Sequence, residues 1–126
     1  NCFSHCIKNN YTAKKAFDAK LDNFWINENL PNSYNQEHVH PYTDFSGVYY
    51  LEVPKNSGNI YFKKYDMIKT NLSYLFNDSD FYTEFFIENK KNQFFLFSSD
   101  FIHGVYLNKS KKPRISISFN ISIIKK

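Results

Sequence analysis

The segment Arg114–Ile123 constrains the fold more than any other part of the chain. Ile115, Ile117, Phe119, Ile121 and Ile123 alternate with Ser116, Ser118, Asn120 and Ser122. Apolar and polar residues trading places at a period of two describe a half-buried β-strand, because successive side chains leave opposite faces. Seven further stretches carry strand signals: Asp22–Asn27, Tyr34–His40, Ser46–Val53, Asn59–Lys63, Phe81–Glu88, Gln93–Phe97 and His103–Leu107. Turn signals separate them, at Pro31-Asn32, Pro54-Lys55-Asn56-Ser57-Gly58, Asn77-Asp78 and Lys109–Pro113. Asp66–Leu75 reads equally as a short helix or an irregular loop. Tyr11–Leu21 is the best helix candidate, with Ala13, Phe17 and Leu21 at i, i+4 and i+8. Eight short strands with turns between them describe a β-sandwich or jelly roll. The expected class is therefore all-β, with a short N-terminal helix packed outside.

Length and composition narrow the functional classes. A chain of 126 residues implies one domain, 1–126, able to bury a core without staples. An aromatic content of 20% excludes a disordered chain. The net charge of +4 rests on scattered lysines and on pairs such as Lys63-Lys64, Lys90-Lys91 and Lys111-Lys112. These read as solvated surface, so no nucleic-acid partner is expected. No apolar run is long enough to span a bilayer and no signal peptide is visible, so no membrane partner is expected. Cys2 and Cys6 are the only cysteines. Cys2-x2-His5-Cys6 has the look of half a zinc site, but no second Cys/His pair completes it. Two free thiols suit a reducing cytoplasm. Richness in Lys, Asn, Ile and Phe points to an AT-rich genome, of bacterial or phage type.

The histidines carry the chemistry. His38 and His40 flank one residue in an expected strand, which aims both imidazoles at the same side. His103 opens a later strand and supplies a third. Imidazoles suit Fe, Zn, Cu and Ni, and three protein ligands leave coordination positions open, as catalytic sites require. Asp44 and Glu37 are the competing carboxylates, and Asp44 could fold back from the turn after Pro41 to take the middle position instead of His40. Arg114 begins the strand after His103, with Ser116 two positions on and of the same parity. Arginine grips a carboxylate bidentately, in a way lysine does not. Two placements of Arg114 follow from its parity. Either the polar row lines the interior, or Arg114 is a surface residue at a strand start.

At these residues the chain resembles the Fe(II)/2-oxoglutarate-dependent oxygenases. The resemblance rests on His38-Val39-His40-Pro41, Ser46-Gly47-Val48-Tyr49-Tyr50, Phe97-Ser98-Ser99, His103-Gly104-Val105 and Arg114-Ile115-Ser116-Ile117-Ser118-Phe119-Asn120. It covers about residues 25 to 121. It implies a double-stranded β-helix, a jelly-roll variant. It also implies Fe(II) on His38, His40 and His103, with 2-oxoglutarate as co-substrate held by Arg114, Ser116 and Tyr50. The implied activity is oxidation, of hydroxylation type, of a small-molecule or peptide substrate. Three departures stand out. His40 occupies the place of the usual aspartate. The proline and tryptophan expected near Ser98 are missing. Much of the N-terminal region that such proteins carry is also missing. Two rival readings follow: a three-histidine, cupin-like dioxygenase without 2-oxoglutarate, and a non-catalytic jelly-roll binding or structural module.

Overall fold

The structure is a computed structural model, and it describes residues 17–65, 75 and 82–125. Eight strands form among them: β1 (Phe17–Asn29), β2 (Asn35–His38), β3 (Phe45–Glu52), β4 (Ile60–Tyr65), β5 (Tyr82–Ile87), β6 (Phe94–Ser98), β7 (Ile102–Val105) and β8 (Arg114–Lys125). They make two four-stranded sheets, in the orders β1-β8-β3-β6 and β2-β7-β4-β5. Every pairing is antiparallel. Consecutive strands mostly alternate between the two sheets, which is the winding of a jelly roll. The expected fold class is the observed one.

The N-terminal helix is not seen. Residues 17–21 belong to β1, and 11–16 lie outside the described residues. The physical reason is an ambiguity of spacing. Positions i, i+4 and i+8 share a face in a strand as well as in a helix. Pairing decides: Phe17 sits opposite Lys125, Ala19 opposite Ile123 and Leu21 opposite Ile121. The Asp66–Leu75 question also lies outside the described residues, Leu75 apart. Among the described residues, no helix is long and apolar enough to cross a membrane.

The alternation in β8 has a polarity opposite to that of a simple sandwich. Arg114, Ser116 and Asn120 are buried, whereas Ile115, Ile117, Phe119, Ile121 and Ile123 are half-buried on the outer face. Polar residues thus point between the sheets. β1 continues the pattern, with Trp25, Asn27 and Asn29 inward and Phe24 and Ile26 outward and exposed. Among the described residues, the buried apolar core consists of Val48, Tyr50, Ile60 and Phe62, with Val53, Ile87, Phe95 and Phe97 packed against it. The space left between the sheets is a cavity onto which polar residues of β1 and β8 and apolar residues of the core both open.

Two glycines let the sheets close around it. A Cβ on Gly47 would lie 2.9 Å from the Phe95 carbonyl oxygen and closer still to the Phe119 ring. Gly58 has φ +82°, and a Cβ there would stand 2.0 Å from the Tyr106 carbonyl oxygen. Only glycine meets both demands without strain.

Candidate metal and anion site

Three imidazoles converge at one end of the cavity. His38 ends β2 and pairs across the sheet with His103 of β7. His40 lies two residues beyond β2, where its backbone N–H donates to the Ser99 carbonyl at 3.1 Å. That bond holds the chain on course after the strand stops. One ligand nitrogen from each of His38, His40 and His103 lies within 4.8 Å of the others. His40 Nε2 and His103 Nε2 are 3.3 Å apart. Two nitrogens at about 2.1 Å from a shared metal, at tetrahedral or octahedral angles, are separated by about 3.0–3.4 Å.

The protonation pattern also fits a metal. His103 Nδ1 donates to the Phe101 carbonyl at 2.8 Å, and His38 Nδ1 to the Gln36 carbonyl at 2.8 Å. A proton fixed on Nδ1 leaves the Nε2 lone pair facing inward, the arrangement that metal-binding histidines use. A proton or a cation must then lie between the Nε2 atoms of His40 and His103. Burial holds the His103 imidazole down at about 4, against the opposing hydrogen bond from Phe101. Burial first, and His38 second, lower His40 as well. Both rings therefore stay neutral, as ligands must be. Phe97 stands edge-on to His103, with ring centroids 4.8 Å apart, and Trp25 stacks on His40 at 5.8 Å.

The competing carboxylates are occupied elsewhere. Asp44 Oδ2 accepts from the Ile123 N–H at 2.6 Å, out on the β3–β8 rim. Glu37 pairs with Lys63 at 2.6 Å on the outer face of the other sheet. Among the described residues, the grouping that could hold a metal is all histidine.

Arg114 lies on the wall of the same cavity, whose volume is about 70 Å³, well above the ~10–15 Å³ that one water needs. The parity question is answered in favour of the interior. The side chain is 2% exposed. One terminal nitrogen donates to the Gly58 carbonyl and the other to Asn29 Oδ1, both at 2.6 Å, while Nε has no partner. Among the described residues no carboxylate pairs with it. Ser116 is buried on the same wall. Tyr50 lies behind Arg114, with the guanidinium carbon 5.7 Å from its ring centroid, and burial pushes its phenol up to about 12. A buried cation with an orphaned donor thus stands beside three imidazoles, an arrangement chemically suited to receive a metal and an anion.

Sequence reasoning missed the β1 wall. Trp25 Nε1 donates to Asn27 Oδ1 at 3.1 Å, and Asn27 Nδ2 to Ser118 Oγ at 2.7 Å. Asn29 Nδ2 donates to Asn35 Oδ1 at 2.5 Å. The signal was present, because Trp25-x-Asn27-x-Asn29 places three polar-tipped side chains on one strand face.

Fold and site together describe a jelly-roll protein with a three-histidine group that could hold a metal and a buried arginine on the same cavity. The family described as "Putative 2OG-Fe(II) oxygenase" matches residues 23–120, and the chain belongs to it. That family uses Fe(II) and 2-oxoglutarate, and the three-histidine group fits iron. The fold is similar to that of a 2OG-Fe(II) oxygenase family oxidoreductase from Burkholderia pseudomallei, with a TM-score of 0.64 at 15% identity. That match covers 89% of this chain and 48% of the other. The α-ketoglutarate-dependent epimerase SnoN of nogalamycin biosynthesis matches with a TM-score of 0.61 at 12% identity, covering 85% and 49%. A prolyl-4-hydroxylase from Pseudomonas putida matches at 0.50 and 15%, covering 89% and 53%. The chain thus spans about half the length of these structures. No curated protein matches it.

Proposed function

We propose that this chain is the catalytic domain of a 2-oxoglutarate- and Fe(II)-dependent oxygenase. His38, His40 and His103 are the metal ligands, and Arg114, Ser116 and Tyr50 form the co-substrate end. The observation that carries the reading is Arg114, a buried guanidinium that no carboxylate among the described residues pairs with, on the cavity that the three imidazoles share. Iron, when bound, supplies the oxygen chemistry that couples decarboxylation of 2-oxoglutarate to oxidation of a C–H bond. The protein's own residues do the rest. The Phe101 and Gln36 carbonyls fix the tautomers of His103 and His38. Arg114 takes the distal carboxylate of 2-oxoglutarate through its unpartnered Nε, and Ser116 offers a hydroxyl beside it. Tyr50 backs the guanidinium and helps exclude water. A small molecule or an exposed peptide segment reaches the centre past His38, which is exposed. With two cysteines in the chain, a reducing cytoplasm is the fitting compartment.

Calorimetric titration of 2-oxoglutarate into the Mn(II)-loaded protein tests this. The parent should bind it. Arg114→Ala should lose about a hundredfold in affinity, the order expected on breaking a buried charge pair, with metal content unchanged. Arg114→Lys should recover part of the loss, since it keeps the charge but not the planar fork. Equal affinities in parent and Arg114→Ala would remove the arginine from the site. The all-histidine donor set favours the second reading, a three-histidine dioxygenase without 2-oxoglutarate. That reading gains if the metal-loaded parent binds no 2-oxoglutarate.

A further inference from the structure

We infer that Asn29 is a positioning residue that holds Arg114 in place while leaving its charge uncompensated, so that an incoming dianion is the arginine's only counter-charge. The inference rests on the proposed role of Arg114 as the anion grip. Its experiment reads the uncompensated charge separately from 2-oxoglutarate binding.

Three observations carry it. First, the contact is tight and chemically specific: the amide oxygen of Asn29 accepts from an Arg114 terminal nitrogen at 2.6 Å. Second, Asn29 is fixed through both side-chain polar atoms and through its backbone carbonyl. Its side-chain nitrogen donates to Asn35 Oδ1 at 2.5 Å, and its backbone carbonyl accepts from the fully buried Asn108 Nδ2 at 2.9 Å. Asn35 starts β2, the strand that ends on His38, so this relay ties the arginine to the strand of a metal ligand. Third, the natural partner for a buried guanidinium is a carboxylate, which forms shorter and stronger bonds than an amide does. An aspartate is isosteric with asparagine and would fit this position once the Asn35 amide turns over to donate to it. The chain instead places an amide there and a backbone carbonyl on the other nitrogen. Both acceptors orient the fork without neutralising it. A buried cation left in that state destabilises the empty protein, and stability surrendered at a binding site is the usual mark of function.

The charge-swapping variant Asn29→Asp decides it, with Asn29→Ala as the uncharged comparison. The two variants should move stability in opposite directions. In the protein without 2-oxoglutarate, Asn29→Asp should raise the melting temperature by roughly 3 °C or more at pH 7, because Arg114 gains a counter-charge. That gain should disappear as the pH falls through the carboxyl range, a signature that packing alone does not give. Asn29→Ala should lower the melting temperature, since it removes the acceptor. For 2-oxoglutarate titrated into Mn(II)-loaded protein, Asn29→Asp should weaken affinity at least about thirtyfold, with metal affinity unchanged. Asn29→Ala should weaken it less. The inference is overturned if Asn29→Asp lowers the melting temperature as Asn29→Ala does, or if it binds 2-oxoglutarate like the parent. If the parent binds no 2-oxoglutarate and Asn29→Asp still melts higher with a pH-dependent gain, the positioning role stands. The 2-oxoglutarate reading of the site is then the one that fails.

Discussion

His103 shows how much a single side chain can be asked to do. It is buried at 4% exposure, its Nδ1 proton is committed to Phe101, and aromatic rings close around it. Replacing it with alanine removes one of the three proposed ligands and opens a cavity beside Phe62 and Phe97. Equilibrium dialysis of Mn(II) or Fe(II) should show the His103→Ala protein at least about a hundredfold weaker, a larger loss than the ~10–100-fold that follows removal of a supporting partner. His40 and Asp44 make the sharper comparison. His40→Ala should weaken metal binding strongly. Asp44→Asn should leave it within about twofold, because the Asp44 carboxylate is spent on the Ile123 N–H at 2.6 Å. Metal loss in Asp44→Asn with retention in His40→Ala would restore a carboxylate to the triad. The three proposed ligands were legible as a motif because His-x-His and a late-strand histidine are local patterns. The partners of Asn29, Asn35 and Asn108 were not, since those contacts span 85, 6 and 79 residues of sequence.

At the scale of the element, β8 was legible, and β1 was legible over Asp22–Asn27 but misread over Phe17–Leu21, for one reason. Strict alternation in β8 admits a single period, whereas Ala13, Phe17 and Leu21 satisfy both a helical and an extended repeat. Which face of β8 turns inward was not decided by the alternation either. An isoleucine row normally faces the core, yet here it faces out and the arginine row lines the cavity. Only the pairing of β8 with both β1 and β3, whose inner faces also carry Asn27 and Ser46, resolves the choice. The loop before β4 is the element with least freedom. Gly58 is at φ +82°, faces the Tyr106 carbonyl oxygen, and lends its own carbonyl to Arg114 at 2.6 Å. Gly58→Ala should therefore destabilise the fold by about 2–4 kcal/mol, through backbone strain and overpacking together. It should also weaken 2-oxoglutarate binding more than metal binding, because the carbonyl that shifts belongs to the anion end. Urea denaturation paired with calorimetry checks both parts. A variant with parent stability would mean that the Tyr106 backbone yields without strain.

The molecule as a whole should register its buried imidazoles as an acid-sensitive stability. In the unfolded chain His103 takes up a proton near its ordinary value of 6.5, but in the folded protein only near about 4. Between those values the unfolded state binds more protons, so folding stability rises with pH across the window and is lost as the pH falls through it. A separation of that size corresponds to a loss on the order of 3 kcal/mol, with His40 adding in the same direction. Below about 4 both states are protonated and the loss levels off. Metal steepens the same curve. At a hundred times its Kd, a bound ion adds about 2.7 kcal/mol of stability, and protons compete with it for the same nitrogens. Urea midpoints measured at intervals from pH 7 to pH 4, with and without Mn(II), should fall in both series and converge at the acid end. His103→Gln supplies the control, since it keeps polarity and approximate volume without a titrating ring. Its apo curve should be flatter than the parent's across the window, and its metal increment small. An equally steep apo curve in His103→Gln would mean that the acid sensitivity arises elsewhere, and that His103 is not held neutral by its burial.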